Sequence, residues 1–325
     1  MKKYSVIIIG AGKIGAFFDT PTSREYLSHA HAFSSHAGFN LLGFVDSDLS
    51  HAERASQIWG GDAFPTVADA FSNHAVDVAV VAAPDAVHFT LLKELAEYPL
   101  KLVLAEKPLA KTVDEAEEII AIYSKRCIRL AVNYSRRYVP EFINLAAEIA
   151  SGAFGGYITG SGYYGKGTIH NGTHLISLLD HLLGEIEIAE VFGSFHDQFA
   201  DDPTCSFRLD IADGKPFLMQ AVSSQLYTIF ELDLFFEKKR IRIVDSGCKI
   251  ERYNICDSEL FEGYRYLGLE RTIDTSLDKV LKSAAVHIYS CLEANEESVC
   301  TGEAALRALT IACRVHELAG LHRAG

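Results

Sequence analysis

The sequence predicts an α/β chain in two parts, a doubly wound parallel sheet followed by an α+β part with an open, mostly antiparallel sheet. Three observations carry this. Short β-type runs alternate with helical patterns over the first third of the chain. A glycine-rich loop, Gly10-Ala11-Gly12-Lys13-Ile14-Gly15, follows the first of those runs. Beyond about residue 130 the pattern changes to strands with period-2 alternation. A chain of 325 residues is long enough for two domains with cores of their own.

In order, the expected strands of the first part are Tyr4–Ile9, Asn40–Val45, Val76–Ala82, Lys101–Ala105 and Ile128–Val132. Helical segments lie between them at Ser50–Trp59, Ala86–Tyr98 and Asp114–Lys125. Near-continuous apolar runs such as Leu102-Val103-Leu104-Ala105 suit strands buried on both faces. The second part opens with a helix, Pro140–Ser151, and a Gly/Tyr-rich stretch leading to a helix around Thr173–Leu183. In the strands that follow, Phe230, Leu232, Leu234 and Phe236 define one apolar face, with Glu231 and Asp233 on the other. Asp213-Gly214 and Ser246-Gly247 mark tight hairpin turns. Two closing helices, Ser276–Ala294 and Gly302–Leu318, are expected to cover this sheet; in the second, Ala305, Leu309, Ala312 and Val315 recur at helical spacing.

Composition excludes several classes. Hydrophobic residues make up 49% and charged residues 22%, ordinary globular values. A net charge of −13 argues against nucleic acid or an anionic membrane as the main partner. The seven cysteines (127, 205, 248, 256, 291, 300 and 313) are odd in number and include no C-x-x-C pair, which fits reduced thiols rather than a disulfide framework or zinc site. Met1-Lys2-Lys3 before Val6–Ile9 mimics a signal start, but the apolar stretch is too short, and no run approaches the ~20 apolar residues of a membrane helix. A cytoplasmic protein is expected.

The glycine loop sits where G-x-G-x-x-G carries meaning, after a first strand and opening a helix. Glycine permits the tight turn, the close backbone approach to pyrophosphate and the helix–strand contact, and the helix N-terminus offers N–H groups to the phosphates. Gly10, Gly12, Lys13, Ile14 and Gly15 are therefore candidate cofactor-binding residues in a Rossmann domain spanning 1–130. Asp46, at the end of Leu41–Val45, is the candidate ribose-binding acid, which favours NAD over NADP. It lies further along than the usual ~20 residues, as expected if 19–27 is an inserted loop before a helix from Ser28 to Ala37. A plainer role for Asp46 is as a cap for the helix after Asp48.

Glu106-Lys107-Pro108 follows the buried run 102–105, where open α/β sheets bind ligands. Alone, the tripeptide is compatible with a surface turn. Set beside the glycine loop and a histidine-bearing helix at 173–183, it points to nicotinamide-dependent redox chemistry. With these pieces, and with Ala83-Pro84-Asp85-Ala86-Val87-His88, Asn133, Arg136-Arg137-Tyr138 and Gly172-Thr173-His174 running on to Leu183-Gly184, the chain resembles the Gfo/Idh/MocA oxidoreductases along essentially its whole length. The Ala83–His88 segment departs mildly, with Ala and Asp where that family usually has Thr and Asn.

The resemblance implies a C-terminal substrate-binding and oligomerisation domain, 131–325, with a dimer or tetramer built on its open sheet. It implies cofactor contacts at Ala83, Pro84, His88, Glu106 and Lys107, and a reacting carbon flanked by Lys107 and His174. Oxidising a secondary alcohol requires a base for the hydroxyl proton while hydride leaves, a task that suits histidine, and a nearby ammonium stabilises the developing alkoxide. The bland alternative for His174 is a core histidine among Leu175, Ile176, Leu178 and Leu179.

The family commonly has aspartates four residues before and three after His174. This chain has His170 and Ser177 there, with Asp180 further on. If Thr173 caps the helix, Ser177 and His181 share a face with His174 and Asp180 does not. His174 is then oriented by a hydroxyl or by substrate, or His170 takes part of the acid–base role. A metal at His170 and His174 is disfavoured, since no further ligand has clear spacing.

Asn133, Tyr134, Arg136, Arg137, Tyr163, Tyr164, Lys166 and Asn171 are expected to line the cleft between domains and suit a sugar; Arg136 and Arg137 are otherwise solvated or paired with Glu141. His29, His31 and His36 are assigned to the surface of the inserted loop. The expected activity is hydride transfer between nicotinamide and a hydroxyl or ketone of a sugar, inositol or nucleotide-linked sugar. The alternatives are a glycosidase that retains NAD and a nicotinamide-sensing regulatory protein on the same fold.

Overall fold

The computed structural model describes residues 2–320. The chain divides into two compact units, one running to Tyr138 and taking in Asp278–Leu306, the other comprising Val139–Leu277 and the chain from Arg307.

The first unit contains six strands: β1 Tyr4–Ile9, β2 Phe39–Val45, β3 Asp62–Phe64, β4 Val78–Val81, β5 Leu102–Ala105 and β6 Arg129–Val132. They form one parallel sheet in the order β3-β2-β1-β4-β5-β6. The order reverses between β1 and β4, the switch point at which such sheets bind ligands. All four residues of β4 and of β5 are buried, because helices cover both faces.

The helices end where sequence chemistry puts the ends. Asp48 caps α2 (Leu49–Trp59), Thr66 caps α3 (Val67–Asn73) and Thr112 caps α5 (Val113–Arg126) through side-chain oxygens on backbone N–H groups. In α5, Asp114 and Glu115 sit in the first turn and Lys125 and Arg126 in the last, each matching the helix dipole. Between α3 and α5 lies α4 (His88–Leu95).

The inserted segment departs from expectation. Its helix, α1 (His29–Ser34), is shorter than predicted, and His29 and His31 are buried rather than on the surface; only His36 is part-exposed. The cause is Asp19. Its carboxylate accepts from Leu27 N–H (2.7 Å), from the Ser28 hydroxyl and from His31 Nδ1 (2.9 Å), folding the insertion back on itself. Tyr26 then stacks on His31, and the Trp59 indole donates to Ala16 O.

The helix expected over 276–294 begins at Val280 (α8, Val280–Ala294), because the Ser276 N–H and hydroxyl are taken by Glu141. It does not cover the second sheet, as periodicity alone suggested. It packs on the first unit, with Tyr289 edge-on to Tyr4 and Phe39 and pressed over Gly38, where a Cβ would come within 2.2 Å of the ring.

The second unit holds eight strands: β7 Tyr157–Tyr164, β8 Ile186–Phe195, β9 Thr204–Ile211, β10 Lys215–Ala221, β11 Phe230–Phe236, β12 Lys239–Val244, β13 Lys249–Asp257 and β14 Arg265–Asp274. Their order is β14-β13-β12-β11-β7-β10-β9-β8, antiparallel throughout except for β7 with β10. The Asp213-Gly214 turn joins β9 to β10 through a three-residue loop, 212–214, with Asp213 and Gly214 both at positive φ. β11 alternates as predicted, Phe230, Leu232, Leu234 and Phe236 inward. α6 (Pro140–Ala150) and α7 (Thr173–Leu183) lie against each other, and Leu175 of α7 meets the buried sheet face at Gly162, where a Cβ would lie 3.1 Å from its methyl. The remaining helix, α9, is Gly302–Leu318.

Candidate active site

Four adjacent strand ends of the first unit gather the residues expected to hold a cofactor. After β1, Gly10 has φ +96°, and a Cβ there would stand 2.6 Å from the Ala82 carbonyl carbon. A Cβ on Gly15 would lie 2.0 Å from Gly10 O, yet one on Gly12 would meet nothing within 4 Å. The outer two glycines are thus demanded by the chain itself, and the middle one leaves open space beside bare backbone. That is the fit pyrophosphate requires. Lys13 and Ile14 begin a single helical turn, Lys13–Phe17, with Lys13 exposed.

Asp46 ends β2. One carboxylate oxygen accepts from Ala11 N–H (2.8 Å) and the other from Asp48 N–H (3.0 Å), so it braces the glycine loop, while Asp48 itself caps α2. After β4, the His88 ring stands between two carbonyls, Nε2 2.9 Å from Ala83 O and Nδ1 2.7 Å from Pro108 O. Ala83 and Pro84 are thereby tied to the segment after β5.

Glu106 follows β5, its N–H bonded to Val81 O, and Asn133 follows β6, its N–H bonded to Ala105 O. One Glu106 carboxylate oxygen accepts from His29 Nε2 (2.8 Å) and from Asn133 Nδ2 (2.7 Å). Burial alone raises the Glu106 pKa, but the His29 and Asn133 hydrogen bonds and the nearby Lys107 ammonium outweigh it, and the net displacement is downward. The carboxylate is held ionised beside Lys107, which is half-buried and joined to Pro108 by a cis peptide bond. His29 was not anticipated; nothing in the sequence distance marks a helix of an insertion as reaching the end of β5.

In the second unit the histidine segment is one continuous helical stretch, a wide turn at Thr168–Gly172 running into α7. Thr173 does not cap it. Its buried hydroxyl donates back to Ile169 O at 2.6 Å. His170 lies in the wide turn and His174 one turn later, half-buried. A carboxylate does reach this segment, from Asp202 between β8 and β9. It accepts from His170 Nδ1 (2.7 Å), His170 N–H (2.8 Å) and Ile169 N–H (2.9 Å), and His316 Nε2 of α9 lies 3.1 Å away. Burial pushes the Asp202 pKa up, but the two histidines and the backbone donors prevail and hold it well below the usual carboxylate range. Gly167, at φ +83°, makes room, since a Cβ there would lie 2.1 Å from an Asp202 oxygen.

The other expected site residues are scattered. Asn171 donates through Nδ2 to Gly165 O, and Lys166, at φ +64°, donates its N–H to Asp197, so both close the same loop as His170. Tyr163 points to the sheet face opposite Gly162 and Leu175, paired with Gln220 and Glu231, and is not brought beside the histidines. Tyr164 does not line a cleft: it is fully buried and donates to Cys205 O at 2.6 Å. Tyr134 is likewise buried. Arg136 is half-buried in the turn Ser135–Tyr138, whereas Arg137 is buried and donates to Val299 O; neither solvent nor Glu141 explains it. Asp180 is held by Arg307 through two bonds of 2.8 and 2.9 Å.

Residues 4–134 match the model of the Gfo/Idh/MocA oxidoreductase family, NAD-binding Rossmann fold, as the motifs indicated. The chain is 27% identical over 175 residues to an inositol 2-dehydrogenase of Rubrobacter xylanophilus, a match covering 53% of this chain and 46% of that one. The chain thus spans about half the length of that curated relative. An uncharacterised oxidoreductase, YrbE of Bacillus subtilis, is 23% identical over 94% of this chain and 91% of its own. Among solved structures, UDP-N-acetylglucosamine 3-dehydrogenase GnnA from Acidithiobacillus ferrooxidans shares the fold, with a TM-score of 0.76 at 18% identity over 99% of this chain and 100% of that one. No helix among the described residues is long and apolar enough to cross a membrane.

Proposed function

We propose that the chain is an NAD(H)-dependent dehydrogenase that interconverts a secondary hydroxyl and the matching ketone of a cyclic polyol or sugar, free or nucleotide-linked. The observation that carries this is the convergence of four parallel strand ends on the open backbone at Gly12, the braced Asp46, and the ionised Glu106 beside Lys107. Bound there, NAD supplies the hydride acceptor. Gly10–Gly15 would admit the pyrophosphate, Asp46 would face the adenosine ribose, and Ala83, Pro84, His88 and Glu106 would shape the nicotinamide end.

Within this reading Lys107 stabilises the oxygen as it loses its proton, by placing an ammonium where negative charge develops. The proton passes to a histidine of the segment 168–183, His174 or His170. Asn133, Arg136, Lys166 and Asn171 are the substrate-side residues of this proposal; Tyr163, on the opposite face of its strand, is not among them. Support for a polyol or sugar is the inositol and sugar-nucleotide substrates in the names of the similar proteins. A dimer or tetramer is proposed on the second sheet, whose Ile158 and Leu218 are large apolar side chains left exposed.

The test is a screen of myo-inositol, free sugars and UDP-sugars for NADH formation, with NADP as control. NADH formation with one class is the expected result. NAD binding with silence across the screen would overturn the reading in favour of a nicotinamide-sensing protein.

A further inference from the structure

We propose that His170, fixed by Asp202, is the residue that exchanges the proton with the substrate hydroxyl, and that Asp202 is its positioning residue. The inference rests on the dehydrogenase reading and names the acid–base machinery within it.

An ionised carboxylate only accepts hydrogen bonds, so the ring nitrogen facing Asp202 carries the proton. His170 Nδ1 lies 2.7 Å from Asp202 Oδ2, which sets the neutral ring as the Nδ1–H tautomer with its basic lone pair on Nε2. The site is built for this pairing. The Asp202 side chain is 3% exposed against 33% for His170, so the buried partner is the carboxylate and the accessible one is the base. Phe199 lies flat against the imidazole, with centroids 3.9 Å apart and planes 11° apart, fixing the ring plane. His316 Nε2 of α9 lies 3.1 Å from the other carboxylate oxygen without forming a hydrogen bond to it. Meanwhile Asp180, the carboxylate nearest to His174 along α7, is taken by Arg307.

With NAD bound to take the hydride, the substrate O–H proton would pass to His170 Nε2 as the carbonyl forms. The resulting imidazolium keeps its Nδ1–H on the ionised Asp202, and reduction runs the same transfers backward. Asp202 acts as an orienting carboxylate does in hydrolase triads, by holding the productive tautomer.

The deciding variant is His170→Asn, whose amide can still donate to Asp202 but has no atom in the place of Nε2. On whichever of myo-inositol or UDP-N-acetylglucosamine the wild type oxidises, kcat should fall about 100-fold or more, with KM and NAD affinity changed less than about threefold. Undiminished kcat in His170→Asn, or loss confined to His174→Asn, would overturn the assignment while leaving the dehydrogenase reading intact. A wild type that binds NAD but oxidises neither probe would instead remove that reading and this proposal with it. Independently of turnover, nitrogen-15 spectra of histidine-labelled protein should show His170 as the Nδ1–H tautomer and show that tautomer lost in Asp202→Asn. An Nε2–H tautomer in the wild type would refute the positioning role.

Discussion

Each unit contains a histidine bound to a carboxylate, and the two pairs are buried in opposite senses. In the first, the His29 side chain is 1% exposed and Glu106 13%; in the second, Asp202 is 3% exposed and His170 33%. The member with more access to solvent is the carboxylate in one pair and the histidine in the other. Burying one partner takes away its conformational freedom and fixes the orientation of the other, so the same two side-chain types yield a preset acceptor in one unit and a preset base in the other. The lesson is that residue type does not assign a role; the depth of each partner does.

The comparison can be broken at either end. The largest effect is expected beside the first pair: Lys107→Ala should lower turnover about a thousandfold or more and leave NAD affinity nearly unchanged, measured by steady-state kinetics and calorimetric titration. Normal turnover would separate Glu106 from any catalytic neighbourhood.

Next, Asp202→Ala should destabilise the protein by about 2–3 kcal/mol at neutral pH in denaturant unfolding, because it strips a charged acceptor from the His170 ring and from the Ile169 and His170 N–H groups. The Asp202 pKa is depressed by folding, so its contribution is complete above the ordinary carboxylate range and disappears as pH falls through the folded value. Wild type and variant should therefore converge in strong acid. Parallel stability curves down to low pH would contradict the carboxylate's role.

His29→Ala should cost about 1–3 kcal/mol, since Glu106 loses a donor while remaining mostly buried; His29→Gln should recover part of it. Equal stability of His29→Ala and wild type would show that Asn133 alone holds Glu106. The smallest effect is expected for Arg307→Ala, about 1 kcal/mol or less with kcat unchanged, because the arginine is 53% exposed. A large fall in kcat there would mean that Asp180 is coupled to the histidines after all.

Much of this was legible in the chain, for reasons specific to each element. β1 and α7 lie on the predicted residues, because an apolar run ending in glycine and a Leu-rich stretch between Gly172 and Gly184 admit few alternatives. Gly10 and Gly15 were legible because their role is local and steric. Asp202 was not. It sits in Asp201-Asp202-Pro203, which reads as a solvated turn, and only the fold of β8 and β9 returns it to the His170 backbone. His29 was hidden for a related reason: Asp19 closes the insertion, and that closure carries the histidine inward. The assignment of α8 failed because helical spacing marks an apolar face but does not name the sheet it meets.

The His88 ring has a mechanical consequence. Its two nitrogens lie 2.9 Å from Ala83 O and 2.7 Å from Pro108 O, so the ring is wedged between the segments after β4 and β5. A displacement of the segment after β4 is therefore expected to reach Pro108, the residue that follows Lys107.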